Sequence, residues 1–326
     1  MEKFNFIGNR KIAYIISSIL VIVSIAALLI KGPNWSIDFT GGQQIMVKLD
    51  PINEGTEKIS IDVVRAALEK EGISDAAIQR ISNSSGNDPK DLNSVSFIIK
   101  TREDSAIEAT EEGLGQSDII TAIMKNIDGY KIDEEATNIE VVAGSVGKEL
   151  KSNAFKSVII ALILMVIYIG IRFQFNFGIA AIIALAHDVI IVLGVFCIFE
   201  LDLSATIIAA LLSIVGYSIN DTIVIFDRIR EDMRLSRTNQ DLNKLFNLAL
   251  NRTISRTIIT SVTTLIAAVS LYVFAGIVIR DFAFAIMLGT IVGTYSSIYI
   301  ASPLVLDYFH AKSNNTNVFS RFTKKN

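Results

Sequence analysis

Six stretches of this chain are apolar for long enough to cross a bilayer, and charged segments set them apart. A span needs about 20 mostly apolar residues. IAYIISSILVIVSIAALLI (12–30) qualifies without a charge, and NAFKSVIIALILMVIYIGI (153–171) with one lysine. GIAAIIALAHDVIIVLGVFCIF (178–199) qualifies despite His187 and Asp188, and LSATIIAALLSIVGYSINDTIVIF (203–226) contains Asp221. TIITSVTTLIAAVSLYVFAGIVI (257–279) and FAFAIMLGTIVGTYSSIYIASPLVL (282–306) complete the set. The first stretch outruns the apolar core of a signal peptide, and no small-x-small site follows it, so it reads as a retained anchor. The expected plan has four parts. Residues 1–31 are the N-terminus and first span, and 32–152 form a polar domain. Residues 153–309 are five spans with a basic loop at 227–256, and 310–326 are a tail.

The polar domain has its own periods. IDFTGGQQIMVKL (37–49) reads as a strand with a Gly-Gly irregularity. SIDVVRAALEKEG (60–72) reads as an amphipathic helix, with Ile61, Val64, Ala67 and Leu68 on one face, Ser60 as cap and Gly72 as stop. AAIQRIS (76–82), SVSFIIKT (94–101) and TNIEVVAG (137–144) read as strands, and SNSSGNDPKD (82–91) as a turn-rich loop. SDIITAIMKNI (117–127) reads as a helix capped by Ser117. The order βαββαβ is the ferredoxin-like arrangement, two helices on one face of a four-stranded sheet. The fold class expected is thus a polytopic α-helical membrane protein of six spans with one α+β ferredoxin-like domain. That fold hosts many functions and names none.

Charge orients the plan. Lys3, Arg10 and Lys11 precede the first span, the 227–256 loop is rich in arginine, and the tail carries Lys312, Arg321, Lys324 and Lys325. The positive-inside rule puts these three segments, and so both termini, in the cytoplasm. The domain 32–152 is then extracytoplasmic. It holds 22 acidic and 12 basic residues, which argues against nucleic acid as a partner. The basic loop reads as a solvated, orientation-setting segment or as a docking site. The only cysteine, Cys197, lies in a span, and the two histidines are far apart, so no metal or cofactor site is expected. Nor does any nucleophile–base pair or carboxylate pair point to an enzyme.

Polar residues inside the spans are the candidates for function, because an ionised group near mid-bilayer costs at least about 2.5–3.5 kcal/mol on insertion scales. Asp221 of GYSINDTIVIFDRIRE (216–231) stands beside Asn220 on the fourth span. On the fifth, Thr253, Arg256, Thr257, Thr260, Thr263 and Thr264 form a polar stripe at helical spacing. If the interface lies near Asp227 and Arg252, Asp221 is roughly 9 Å deep and Arg256 roughly 6 Å, matched closely enough to pair. Two readings follow: a pair whose attraction protonation switches, or a structural salt bridge with a snorkelling arginine. For the threonines, packing and hydrogen-bond glue is the plainer reading. His187 and Asp188 lie near mid-helix and point about 100° apart, so they are not expected to act as one ligand pair. A proton role and a structural role both stand. Gly289, Gly293, Ser297 and Ala301 make a close-packing face, open to another subunit.

Taken together, IDFTGGQ (37–43), VGKELKSNAFKS (146–157), RFQFNFGIAAIIALAHDV (172–189), GYSINDTIVIFDRIRE (216–231) and NRTISRTIITSVTTL (251–265) resemble the SecF family. The resemblance runs from about residue 5 to 310. It implies half of a resistance-nodulation-division (RND) type bundle whose other half is a SecD-like subunit. It implies protein export in the cytoplasmic (inner) membrane. There the complex promotes preprotein translocation and release on the outer face, driven by the proton gradient, after SecA and SecYEG have acted. Further implied partners are YajC and YidC. It also implies a proton path through Asp221 and Arg256, with Asn220 beside them; His187, Asp188 and Thr260 are accessory candidates on their position in the spans alone. The coupling ion is H⁺ or Na⁺, with no bound cofactor. The rival expectation is a homo-oligomeric RND-type exporter of small molecules or lipids.

Overall fold

The computed structural model describes residues 4–53, 58–73, 76–81, 94–101, 115–133, 137–172, 175–235, 241–275 and 277–313. The chain divides into two compact units, residues 1–34 with 154–326, and residues 35–153.

The smaller unit contains α2 (Ile37–Thr40), β1 (Gly42–Pro51), α3 (Ile61–Lys70), β2 (Ala77–Ile81), β3 (Val95–Thr101), α4 (Gly115–Asn126), β4 (Tyr130–Ile132) and β5 (Asn138–Val142). The sheet order is β2-β3-β1, with β4 and β5 both pairing β1, and every pairing is antiparallel. β5 takes the first half of β1, Gly42↔Val142 to Met46↔Asn138, and β4 takes its end, Leu49↔Ile132 to Pro51↔Tyr130. With β4 counted as an extension of that edge, this is the ferredoxin-like arrangement. Alternate residues of β1, Ile45, Val47 and Leu49, point into the core. They meet Phe97 and Ile99 of β3, Val64 and Leu68 of α3, and Ile119 and Ile123 of α4.

Three expectations for this unit change. Residues 37–40 are a helical turn, not strand, because Ser36 Oγ accepts from Asp38 N at 3.3 Å and Gly41 ends the turn. Gly41, at φ 75° and ψ 163°, occupies a region that only glycine adopts without strain. Its backbone is also crowded: a Cβ on Gly147 would lie 2.9 Å from Gly41 N. The Gly-Gly irregularity is therefore the hinge between turn and strand. β4 is an additional strand, too short to show a period of two. α4 starts at Gly115, two residues before the expected cap Ser117. The 82–91 loop lies outside the described residues.

α5 (Gly144–Arg172) begins in the smaller unit and ends in the larger. The larger unit also contains α1 (Arg10–Ile30), α6 (Phe175–Ile198), α7 (Ala205–Leu235), α8 (Leu242–Phe274), α9 (Ile277–Ser296), a π-helical segment at 297–301 and α10 (Ser302–Ser313). Among the described residues, six helical stretches are long and apolar enough to cross a membrane, the last one formed by α9, the π segment and α10. The span within α5 is the least buried of the six.

The expected basic loop 227–256 is mostly helix. α7 runs on to Leu235 and α8 starts at Leu242, capped by Asp241. Ion pairs hold the extensions together. Asp232, nearly buried, accepts from Arg252 at 2.7 Å and Arg228 at 3.0 Å, and Asp227 accepts from Arg172 at 2.8 Å. Charges spaced three and four apart support a helix as well as a loop. Residues 236–240, Arg237 among them, lie outside the described residues, as do the tail's Arg321, Lys324 and Lys325. An aromatic knot of Phe177, Phe226, Phe246 and Phe309 packs at this end, with centroids 5.0 Å apart for the tightest pair. The N-terminal segment is stapled to α8: Phe6 N donates to Asn247 Oδ1 at 2.8 Å and Phe4 N to Asn251 Oδ1 at 3.0 Å.

Candidate functional site

Asp221 sits on α7 at 3% exposure, facing α8. Thr260 Oγ1 of α8 lies 3.5 Å from its Oδ1, and its buried Oδ2 has no hydrogen-bond partner among the described residues. The contact to Thr260 is weak. A hydroxyl has one proton to donate, and Thr260 Oγ1 is nearer to Thr257 O at 3.0 Å and Arg256 O at 3.1 Å. Asp221 is thus a buried carboxylate with almost no protein partner.

Arg256 does not close on it. Its side chain is exposed, and no ion pair within 4.0 Å joins the two among the described residues. The reason is axial register. Asp221 stands level with Thr260, and Arg256 lies one turn, about 5.4 Å, farther along α8. Asn220 is exposed beside Asp221. Asn220, Asp221, Arg256 and Thr260 therefore share a neighbourhood without forming a bonded cluster.

The threonine stripe splits. Thr253 and Thr257 are buried, while Thr263 is exposed. Thr253, Thr260, Thr263 and Thr264 donate to carbonyls of their own helix. The link between helices comes instead from Ser261, which accepts from Tyr217 OH of α7 at 3.3 Å and lies 2.6 Å from Thr294 Oγ1 of α9.

His187 and Asp188 correct the expectation that neighbours on a helix stay apart. Asp188 is fully buried, and His187 Nδ1 lies 3.0 Å from its Oδ1. Both side chains bend toward one spot despite their 100° offset. Asp188 Oδ2 accepts from Ser218 Oγ of α7 at 2.6 Å and Ser296 Oγ of α9 at 2.9 Å. Nearby, Thr222 Oγ1 and Ser297 Oγ are 2.8 Å apart, and Ser302 Oγ donates to Ser297 O at 2.8 Å across the π segment. One carboxylate therefore ties α6, α7 and α9. Sequence reasoning missed Ser218, Thr222 and Ser296, and read Ser297 only as a small packing residue. Their only signal was the clustering of small hydroxyls in apolar spans, which own-helix bonding explains equally well.

The small-residue face of α9 packs within the chain. A Cβ on Gly289 would fall 2.4 Å from the Ile214 side chain, and one on Gly293 would fall 3.0 Å from Ser218 Cβ, so α7 occupies this face. In the turn before α7, Lys31 Nζ lies 2.7 Å from Glu200 Oε1 and holds that carboxyl below its ordinary range.

Comparison with known proteins decides the family. The family described as protein export membrane protein SecD/SecF, C-terminal, matches residues 120–311, and the SecD/SecF GG motif matches 26–51. The protein translocase subunit SecF of Vibrio alginolyticus is 39% identical over 306 residues, 94% of this chain and 90% of that protein. The chain belongs to the SecF family. The SecF of Petrotoga mobilis is 36% identical over 94% of this chain and 96% of its own length. The crystal structure of SecDF from Thermus thermophilus, a translocon-associated membrane protein, superposes with a TM-score of 0.77 at 35% identity. That match covers 94% of this chain and 39% of the SecDF chain, so the present chain corresponds to little more than a third of SecDF. SecF proteins are protein translocase subunits, and this multi-pass membrane chain has a role in Sec protein export. The exporter alternative is not favoured. The GG motif contains the Gly41–Gly42 hinge.

Proposed function

We propose that this chain works with a SecD-like subunit to couple ion entry across the cytoplasmic membrane to preprotein release on its outer face, after SecA and SecYEG have driven passage. The observation that carries the reading is Asp221: buried at 3% exposure, with Oδ2 unpartnered among the described residues and Arg256 exposed one turn away. A carboxylate left so poorly satisfied is half a site. A proton, or a polar group of the second subunit reaching α7 and α8, would complete it. SecDF, in which a SecF-like portion is about two-fifths of a longer chain, supports SecD as that second half.

In this reading both termini and the junction of α7 with α8 face the cytoplasm, which the positive-inside rule supports, and residues 32–152 face out. Proton arrival at Asp221 removes its pull on Arg256 and on whatever the second subunit supplies. The packing of α7 against α8 then changes, and α5 relays the change to the outer unit. The gradient supplies about 2.3 kcal/mol per charge per 100 mV, enough to bias a two-state element. YajC and YidC are further partners in this proposal, and the subunit itself performs no covalent chemistry.

The test is Asp221→Asn in vesicles containing the full export machinery, with translocation measured with and without an imposed gradient. Loss of gradient stimulation with ATP-driven translocation retained is the expected result. Unimpaired stimulation removes Asp221 from the path. Repeating the assay with a Na⁺ gradient at fixed pH separates H⁺ from Na⁺ coupling.

A further inference from the structure

We propose that His187 and Asp188 form a second proton-binding site in the membrane domain, linked to Asp221 through Ser218 of α7. The inference extends the proton-path reading, but its test does not depend on export.

Charge balance is the first support. Asp188 is fully buried, and no lysine or arginine pairs with it within 4.0 Å among the described residues. Its bonds come from neutral hydroxyls and from His187 Nδ1. With a neutral imidazole the dyad is a net negative charge in an apolar bundle. One more proton makes it a neutral ion pair already at bonding distance. The second support is the free basic atom. Nδ1 faces the carboxylate and is therefore the nitrogen that carries hydrogen in the neutral ring. Nε2 holds the lone pair, and it is buried without a hydrogen-bond partner among the described residues. A hydronium ion gives the proton to Nε2: one O–H bond breaks, one N–H bond forms, and water is left.

Polar groups continue beyond the dyad. The Tyr295 ring of α9 lies at 29° to the His187 ring, with centroids 6.3 Å apart. Ser17 Oγ of α1 donates to Tyr295 OH at 3.0 Å, and Tyr295 OH donates to Ala13 O at 2.9 Å. One turn away on α1, Tyr14 OH donates to Asp307 Oδ2 of α10 at 2.9 Å, and Asp307 pairs with Arg10 at 3.1 Å. The Asp307 side chain is 39% exposed, so this set of polar groups reaches the surface of the bundle. Among the titratable or charged groups on the elements packed around the dyad are Arg10 and Tyr14 on α1, Tyr217 and Asp221 on α7, Tyr295 on α9, Tyr299 in the π segment and Asp307 on α10, while the remaining charges of these elements lie toward their ends.

Ser218 supplies the link. Its hydroxyl holds Asp188, its carbonyl accepts from Thr222 Oγ1 at 3.2 Å, and Asp221 follows it by one helical turn. A proton bound at His187 or at Asp221 changes the field at the other site, and the coupling is reciprocal.

The chain has two histidines, so His310→Gln leaves His187 as the sole imidazole. Histidine ¹⁵N NMR of that full-length variant in lipid nanodiscs, from about pH 5 to about pH 9, reads its protonation directly. A one-proton step from an Nδ1–H neutral ring to a doubly protonated ring is expected. Flat ring shifts, or a neutral ring with hydrogen on Nε2, overturn the site. Adding Asp221→Asn should displace the midpoint, and an unmoved midpoint overturns the link. If His310→Gln does not fold, the wild-type chain carries the experiment, with the His187 signal assigned by its loss in His187→Gln. The Asp221→Asn export assay decides the earlier reading separately.

Discussion

Asp188→Ala takes the acceptor away from three donors, whereas Asp221→Asn takes a charge from a carboxylate that has hardly a donor to lose. In the first variant Ser296 re-pairs, because its hydroxyl already lies 3.1 Å from Gly293 O. The Ser218 hydroxyl and His187 Nδ1 are stranded. A hydrogen bond to a charged group contributes about 1.5–3 kcal/mol in water-soluble proteins, but bonds between membrane helices average about 0.6 and reach about 1.7. Two lost bonds, one leaving a buried imidazole unpaired, give an expected destabilisation of about 2–3 kcal/mol. In the second variant Oδ2 has no partner and Oδ1 only a 3.5 Å contact, so relief of an unsatisfied group dominates. That penalty is about 1–3 kcal/mol, partly returned because the amide is polar too, so the variant is expected between neutral and about 2 kcal/mol more stable. Reversible unfolding of the full chain in mixed micelles, titrated with SDS, measures both. Gradient stimulation of export should vanish in Asp221→Asn regardless. If Asp221→Asn loses as much stability as Asp188→Ala, the hydrogen-bond inventory does not set these energies and Asp221 is a structural anchor.

Gly289→Ala drives a Cβ to 2.4 Å from the Ile214 side chain, and about 1–3 kcal/mol of overpacking is expected. Ile214→Ala should recover part of it, which a double-mutant cycle in the same SDS titration detects. Gly41→Ala forces a side chain into backbone at φ 75° and ψ 163°, with an expected cost of about 1–3 kcal/mol in the thermal unfolding of the 35–153 unit within the intact chain. Glu71, paired with Lys125 at 2.8 Å and bonded by Asn126, has its folded-state pKa lowered from 4.5. A lowered carboxylate stabilises at pH above its unfolded value and loses that contribution as pH falls through the folded value. The stability of this unit should therefore decline below about pH 4.5, and Lys125→Met should flatten that acid limb in a pH series of thermal melts.

Much of the fold is written in hydrophobic periodicity, because burial acts through patterns a single chain displays. The six spans and the strand–helix order of the smaller unit are of this kind. What eludes the pattern is local and energetic. Ile37–Thr40 has the composition of a strand and becomes a turn through a single cap and a single glycine. Asp227–Leu235 has the charge of a loop and becomes helix because its charges pair at helical spacing. The candidate site shows the same division more sharply. Depth along the helices placed Asp221 and Arg256 together, but a register offset of one turn puts Thr260 opposite the carboxylate instead. Asp188 and Asp221 look alike in sequence, each a lone acid in an apolar span. Only the arrangement of three helices makes one of them saturated with donors and leaves the other nearly bare. In the function proposed above that difference separates two carboxylates: Asp188 keeps its charge and leaves any proton to His187, whereas Asp221 can take one itself. An acid whose bonds are complete resists a change of charge, since protonation would break contacts already made. An acid with an empty oxygen has little to lose, so a proton or a partner can bind there and alter how α7 and α8 pack.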